Sequence, residues 1–325
     1  MSRLPAVLFV RTPAKRIGQN RSRESELVHF QHGAKRQKMV GDTILKPMIK
    51  YRGGKSKEIS FFKDYFPCDY SRYVEPFLGG GAVFFYLNPR KAIVNDINPR
   101  LIQFYKSIKN NFVQTQKDLI ELETLYNANQ DEFLKRKLNF DGFVENKNES
   151  LYYKIRDMFN GKIPSNYSEG AIYYFINKTS YSGMLRYNSN GEYNVPFGRY
   201  KRLNTSVITT SHHLLLKRTQ IYNVDFTKIF EKTKPDDFVF LDPPYDCTFT
   251  DYGNATDLDF AEKDQTRLAQ EYKNLSCKAL LVIGKTKLTA SLYKGLIRKE
   301  YKKNYAVNIR NRFKSEATHL VITNY

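Results

Sequence analysis

Cysteine and histidine are scarce in this chain. Its 325 residues include three cysteines, Cys68, Cys247 and Cys277, and five histidines. The cysteines are widely spaced and form no C-x-x-C pair. That argues against a disulfide framework or a zinc site and fits a reducing compartment. Cys247, just past Tyr245, reads as a packing residue rather than a nucleophile. Long apolar runs are also missing, and no stretch approaches the length of a membrane span. The opening Pro5-Ala6-Val7-Leu8-Phe9-Val10 is too short for a secretory signal and has no small-residue cleavage site after it. These absences predict a soluble, cytoplasmic protein with neither a membrane nor a metal partner.

Acidic residues are in deficit. Lys and Arg number 53 against 33 Asp and Glu, giving a formal charge of +20 and a pI near 9.6. Such a field suits a polyanion, and nucleic acid is the simplest one. The plainer alternative is a basic protein that is merely soluble. The length allows one large domain or two modest ones, with a sizeable core.

Residues 1 to about 46 are basic, polar and without periodicity, as in Lys35-Arg36-Gln37-Lys38. They read as a disordered arm adding weak phosphate affinity, or as a start-site extension, since Met39 and Met48 follow. From Pro47 the pattern turns globular. Strands are expected at Arg72–Pro76 and Ala92–Asp96. A helix is expected from Pro99, with Leu101, Ile102, Tyr105 and Ile108 on one face. A polar, aromatic middle follows, with helices over Asp118–Lys137 and Tyr152–Phe159. Strands resume at Gln220–Val224, Phe238–Asp242, Lys278–Ile283, Asn304–Ile309 and Thr318–Thr323. About seven strands alternating with helices predict a mostly parallel α/β sheet, with the last two strands as an antiparallel pair. The domains expected are the arm (1–46), a catalytic domain (47–110 and 221–325) and an insertion outside the sheet (111–220).

One stretch is chemically unusual: Leu241-Asp242-Pro243-Pro244-Tyr245, at the end of an apolar strand. Two prolines in succession donate no backbone hydrogen bonds and hold the chain extended. Their carbonyls, and that of Asp242, are expected to stay free as acceptors. With the Asp242 carboxylate on one side and the Tyr245 ring on the other, such a piece suits an exocyclic amino group on a flat ring. A Pro-Pro turn with Asp242 as a helix cap is the structural alternative.

Other segments add to this. Glu75-Pro76-Phe77-Leu78-Gly79-Gly80-Gly81 sits where a strand turns into a helix, and its glycines let backbone amides approach a ligand. Asp96, ending the next strand, is placed to accept ribose hydroxyls. Lys50-Tyr51-Arg52-Gly53-Gly54-Lys55 combines a ring, a glycine pair and fixed cations. Asp225-Phe226 supplies a carboxylate and a ring able to bond and sandwich an adenine. The structural alternatives are a helix cap for Asp225 and core packing for Phe226. Asn190-Gly191 between aromatic flanks is a hairpin signal.

In content and order these segments resemble the Dam-like family of DNA adenine-N6 methyltransferases, over residues 47–325. The resemblance implies a Rossmann-like class I methyltransferase fold, S-adenosylmethionine as methyl donor, no metal, and double-stranded DNA as substrate. It implies catalysis by Asp242, Pro243, Pro244 and Tyr245 on a flipped adenine. Tyr51, Lys55, Phe77, Gly79, Gly81, Asp96, Asp225, Phe226 and Asp242 would bind the cofactor. The insertion becomes the target-recognition domain, with its hairpin entering the DNA. There Tyr181 matches the intercalating aromatic and Arg186 the base-reading arginine, while Pro196 is a further base contact and Met184 and Asn188 lie in the same run. Arg199 and Lys201 suit phosphates, and Arg186 has that alternative too.

Three departures from the family pattern stand out. Tyr51 occupies a position where many relatives have tryptophan, Ser182 one where many have asparagine, and Ile283-Gly284-Lys285-Thr286 replaces a strand end in Ser-Asn. The last two leave the target sequence open, GATC and CATG alike. Cytosine N4 or RNA as substrate, and a non-catalytic DNA binder on the same fold, are the rival readings. No nuclease constellation is evident, so a cognate restriction endonuclease would be a separate protein.

Overall fold

The computed structural model describes residues 44–245, 260–304 and 316–325. All belong to one compact unit, Lys38–Tyr325. The arm expected over residues 1–46 lies outside the described residues up to residue 43, as does Cys247.

The strands are β1 (Arg72–Glu75), β2 (Ala92–Asn95), β3 (Thr219–Tyr222), β4 (Asp237–Leu241), β5 (Lys278–Gly284), β6 (Ile297–Asn304) and β7 (Glu316–Thr323). They form one seven-stranded sheet in the order β3-β2-β1-β4-β5-β7-β6. The pairings from β3 through to β5 are parallel, and β7 runs antiparallel to both β5 and β6. Strand order reverses between β1 and β4, so the crevice beyond their carboxyl ends is where an open α/β sheet offers a ligand site.

Both faces of the sheet are covered. Tyr73, Ala92, Val94, Phe238, Phe240, Leu280 and Val282 pack into one core, and Val74, Ile93, Val239, Leu241, Ala279, Leu281 and Ile283 into the other. Burial on two sides makes β4 and β5 nearly continuous apolar runs, which is why they are readable without alternation.

The strand expected at Asn304–Ile309 lies earlier, at Ile297–Asn304, and residues 305–309 are outside the described residues. The reason is physical. This strand is at the edge of the sheet, and Arg298, Lys299, Glu300, Lys302 and Lys303 charge it, as edge strands require. Charge masks the apolar pattern by which strands are recognised.

The helices are α1 (Ile59–Phe62), α2 (Ala82–Leu87), α3 (Pro99–Asn110), α4 (Phe112–Asn139), α5 (Lys147–Phe159), α6 (Glu169–Thr179), α7 (Thr210–Lys217), α8 (Phe226–Phe230), α9 (Glu262–Lys273) and α10 (Lys287–Leu292). Helix α3 begins where expected. Asn98 caps it by accepting from the Arg100 and Leu101 amides at 3.1 and 3.2 Å, and Pro99 takes the first turn. Leu101, Ile102, Tyr105 and Ile108 are all buried. Between β2 and β3 the chain forms α3 to α7 and a loose hairpin, whose bridges are Ser180–Phe197 and Tyr187–Tyr193.

Asn177, buried near the end of α6, ties this region to the start of the globular chain. Its Oδ1 accepts from the Lys50 amide and its Nδ2 donates to the Lys50 carbonyl, both at 2.8 Å.

Candidate active site

The turn after β1 is built around glycine. Gly79 and Gly81 have φ of +48° and +68°, and Gly81 caps α2 from the left-handed region. A Cβ on Gly79 would sit 2.7 Å from Cε1 of Tyr51, so the Tyr51 ring lies directly against this turn. Asp96, at the end of β2, pins it from below the surface. Its Oδ2 accepts from the Gly79 amide and its Oδ1 from the Asn98 amide, each at 2.9 Å. Tyr105 donates to the Gly79 carbonyl at 2.8 Å. Burial pushes the Asp96 carboxyl upward, and the two amides oppose that shift.

Beyond β4 the chain enters Asp242-Pro243-Pro244-Tyr245. Lys55, which is 2 % exposed, places Nζ 2.7 Å from Asp242 Oδ1 and 4.8 Å from the Tyr245 ring centroid. It also donates to the Gly53 carbonyl at 2.9 Å. Among the described residues no hydrogen bond reaches Asp242 Oδ2, and the Asp242 side chain is 21 % exposed. Burial raises the Asp242 carboxyl above its ordinary value while the charge and hydrogen bond of Lys55 pull it back.

The two prolyl carbonyls are not equivalent. Sequence predicts both to be free, but Pro244 accepts from Gln265 Nε2 at 2.9 Å. No such bond is made to the Pro243 carbonyl among the described residues. The open acceptors are therefore Asp242 Oδ2 and the Pro243 carbonyl.

An open cleft joins these pieces, and Tyr51, Lys55, Phe77, Gly79, Gly81, Asp96 and the Asp242–Tyr245 stretch line it. Glu75, Asp96 and Asp242 give it three carboxylates, against Arg52 and Lys55. Glu75 had no expected role. It is 2 % exposed, accepts from Tyr73 Oη at 2.8 Å, and burial pushes its carboxyl well above the ordinary range, with Asp242 adding to the effect. In a chain this basic, an acid-lined cleft fits a cationic small molecule. S-adenosylmethionine, with its sulfonium and ammonium groups, meets that requirement.

Asp225 and Phe226 do not line this cleft. Asp225 caps α8 through Thr227 and pairs with Arg267 at 3.1 and 3.0 Å. Phe226 packs in the core against Phe77, with centroids 5.4 Å apart, and so touches a lining residue.

The hairpin residues are spread over the insertion. Tyr181 is 45 % exposed and precedes Ser182 in a left-handed conformation, φ 55°. Met184 is partly buried. Arg186 donates from Nε to Asn194 Oδ1 at 2.8 Å and from Nη2 to the Asn194 carbonyl at 3.2 Å. Asn188 closes the turn, its Oδ1 accepting from the Asn190 and Glu192 amides. Pro196 is exposed, and its carbonyl accepts from the Tyr181 amide at 2.9 Å. Arg199, at φ 53°, and Lys201 are both exposed.

Sequence reasoning missed a buried cluster next to Tyr245. Glu58 accepts from Tyr301 Oη and from His319 Nδ1, both at 2.8 Å, and pairs with Lys303. Burial works against ionisation of Glu58. The His319 bond, the Lys55 charge and Lys303 outweigh it and hold the carboxyl at about 2. The one signal that could have pointed to it is Glu58 three residues after Lys55; His319, alone in an apolar strand, carries none.

A Rossmann-like sheet with a glycine turn after β1 and an acid-Pro-Pro-Tyr stretch after β4 defines a class I methyltransferase acting on an amino group. The chain belongs to the D12 class of N6 adenine-specific DNA methyltransferases, which it matches over residues 51–309. It is 37 % identical over 289 residues to the type II methyltransferase M.CviBI of Paramecium bursaria Chlorella virus NC1A, covering 86 % of this chain and all of the relative. Identity to the type II methyltransferase M.MjaIII of Methanocaldococcus jannaschii is 36 % over 252 residues, covering 71 % and 80 % of the two chains. The DNA adenine methylase of Haemophilus influenzae is 28 % identical over 270 residues, covering 80 % and 87 %.

Glu58 provides a test of the cluster's electrostatics. Its folded value, about 2, lies below the ordinary 4.5, so its contribution to stability is complete above 4.5 and disappears as pH falls towards 2. Glu58→Gln should lower the unfolding free energy by about 3 kcal/mol near pH 7. Denaturant titrations at successively lower pH should show the gap closing; a gap independent of pH would contradict this account.

Proposed function

We propose that the Asp242–Tyr245 stretch is the methyl-transfer site and that it receives an adenine turned out of duplex DNA. A paired adenine hides its amino group in the stack, so the base has to leave it. One observation carries the reading: Asp242 Oδ2 and the Pro243 carbonyl are open acceptors, while Lys55 holds Oδ1 and Gln265 holds the Pro244 carbonyl. Two acceptors match the two hydrogens of an exocyclic amino group.

S-adenosylmethionine supplies a methyl group on positively charged sulfur. Asp242 Oδ2 and the Pro243 carbonyl accept hydrogen bonds from the two N6 hydrogens and turn the nitrogen lone pair out of conjugation. As the N6–methyl bond forms and the sulfur–methyl bond breaks, N6 gives up one proton, by way of Asp242, to solvent. Tyr245 stacks on the base. The Lys55 ammonium opposes the upward push of burial on the Asp242 carboxyl and fixes it in place, so most of the acceleration comes from alignment and preorganised charge. Tyr51, Gly79, Gly81 and Asp96 hold the donor against the glycine turn, with Glu75 facing its positive charge. Asp225 and Phe226 are assigned to its adenine end, next to Phe77.

Residues 111–220 act as the target-recognition domain. Arg186 reads a base edge: Asn194 fixes Nε and Nη2, and Nη1 has no partner among the described residues. Tyr181 and Pro196, joined by the Tyr181 amide and the Pro196 carbonyl, are assigned further base contacts, Met184 and Asn188 shape the hairpin, and Arg199 and Lys201 meet phosphates. The two type II relatives support a role as the modification half of a restriction-modification system, in the cytoplasm, with any endonuclease a separate protein. No described helix is long and apolar enough to cross a membrane.

Asp242→Ala separates enzyme from binder. It should cut methyl transfer by about 10³-fold or more while leaving DNA affinity nearly unchanged. Retained transfer would sink the mechanism.

Glu75 makes a second prediction. Burial favours its neutral form, and a bound cation favours its carboxylate, so binding should expel a proton and tighten as pH rises. Calorimetry of S-adenosylmethionine binding in buffers of different ionisation enthalpy reads this directly. Glu75→Gln should abolish the proton release, and a variant that still releases it would remove Glu75 from the donor site.

A further inference from the structure

The cluster beside Tyr245 is used by no step above. His319, on β7, is fully buried, and its ring meets that of Tyr245 edge to face, with centroids 5.1 Å apart and planes at 76°. It makes the same kind of contact with Tyr301 on β6, at 5.3 Å and 70°. Glu58 collects Tyr301 Oη, His319 Nδ1 and Lys303 Nζ. Since Glu58 is ionised, Nδ1 of His319 must carry the hydrogen it donates. The amide of Glu58 also donates to the Lys55 carbonyl at 2.7 Å, closing the turn that delivers Lys55 to Asp242.

One carboxylate thus braces both halves of the site. Through His319 it sets the Tyr245 ring, and through its own backbone and charge it sets Lys55. Gly284, at the end of β5, backs that ring: a Cβ there would be in ordinary contact with it, 3.6 Å from Tyr245 Cδ2. A purely packing role asks only for apolar side chains, whereas burying a carboxylate needs every partner in place.

The structure assigns Glu58 and His319 as positioning residues for methyl transfer: the Glu58–His319 hydrogen bond fixes the Tyr245 ring, and the Glu58 turn fixes the Lys55 that orients Asp242. This rests on the reading of Asp242–Tyr245 as the site that receives the target base. Both residues act through others and touch neither the base nor the donor.

The test uses the full chain and the variants His319→Phe, His319→Asn and Glu58→Gln. His319→Phe keeps a ring without the donor, and His319→Asn keeps a donor near the place of Nδ1. Each is measured for kcat, for KM towards DNA, and for emission of 2-aminopurine at the target position, which reports the extruded base. His319→Phe should lower kcat on the order of 10- to 10²-fold and leave KM within about twofold. It should also change the 2-aminopurine signal, and His319→Asn should recover part of both losses. Glu58→Gln should resemble His319→Phe; if it does not fold, the two His319 variants carry the comparison. Wild-type kcat and emission in His319→Phe would overturn the assignment. So would losses that follow only the folded fraction and are equal in His319→Phe and His319→Asn. Asp242→Ala, run alongside, keeps the two readings apart: if it still transfers methyl, the site itself is wrong, whatever the His319 variants do.

Discussion

The pair between Lys55 and Asp242 is the contact on which the site depends. Its 2.7 Å length and the near-complete burial of Lys55 bring together a turn close to the start of the globular chain and the loop that ends β4. Buried ion pairs contribute little net stability, because desolvation cancels most of the attraction. What this one contributes is orientation. It occupies one carboxylate oxygen, and among the described residues no hydrogen bond reaches the other. The sheet serves that purpose: β1 and β4 are neighbours, and the loops leaving their carboxyl ends meet over the same crevice.

Two charge environments coexist in the molecule. The whole chain is strongly cationic, which draws in a polyanion from a distance and weakens with salt. The cleft is lined by carboxylates, and their burial raises the affinity of Glu75, Asp96 and Asp242 for protons. The reciprocal bonds between Lys50 and Asn177 join the segment carrying Tyr51 to the helix preceding the hairpin. The Tyr51 turn and the hairpin-bearing region are thereby tied to each other by two hydrogen bonds.

Much of this was legible in the sequence, and the exceptions have physical causes. β4 and β5 are buried on both faces and stood out as apolar runs. The glycine turn and the Asp-Pro-Pro-Tyr stretch stood out because few other contexts need those residues together. β6 was misplaced because an edge strand hides its pattern under charge. The engagement of the Pro244 carbonyl by Gln265 and the pairing of Asp225 with Arg267 depend on α9 folding back, which no local pattern encodes, whereas the local capping by Asp225 was one of the two readings its sequence offered. Glu58 and His319 are near opposite ends of the globular chain, and only the sheet brings them within a hydrogen bond. Tertiary polar clusters of this kind have no signature in a single sequence.

The most direct measurement is transfer of labelled methyl from S-adenosylmethionine to unmethylated genomic DNA, followed by sequencing that detects modified bases. N6-methyladenine confined to one short motif, and no label in cytosine, is the predicted result. Label on cytosine N4, or DNA bound without any incorporation, would contradict the account.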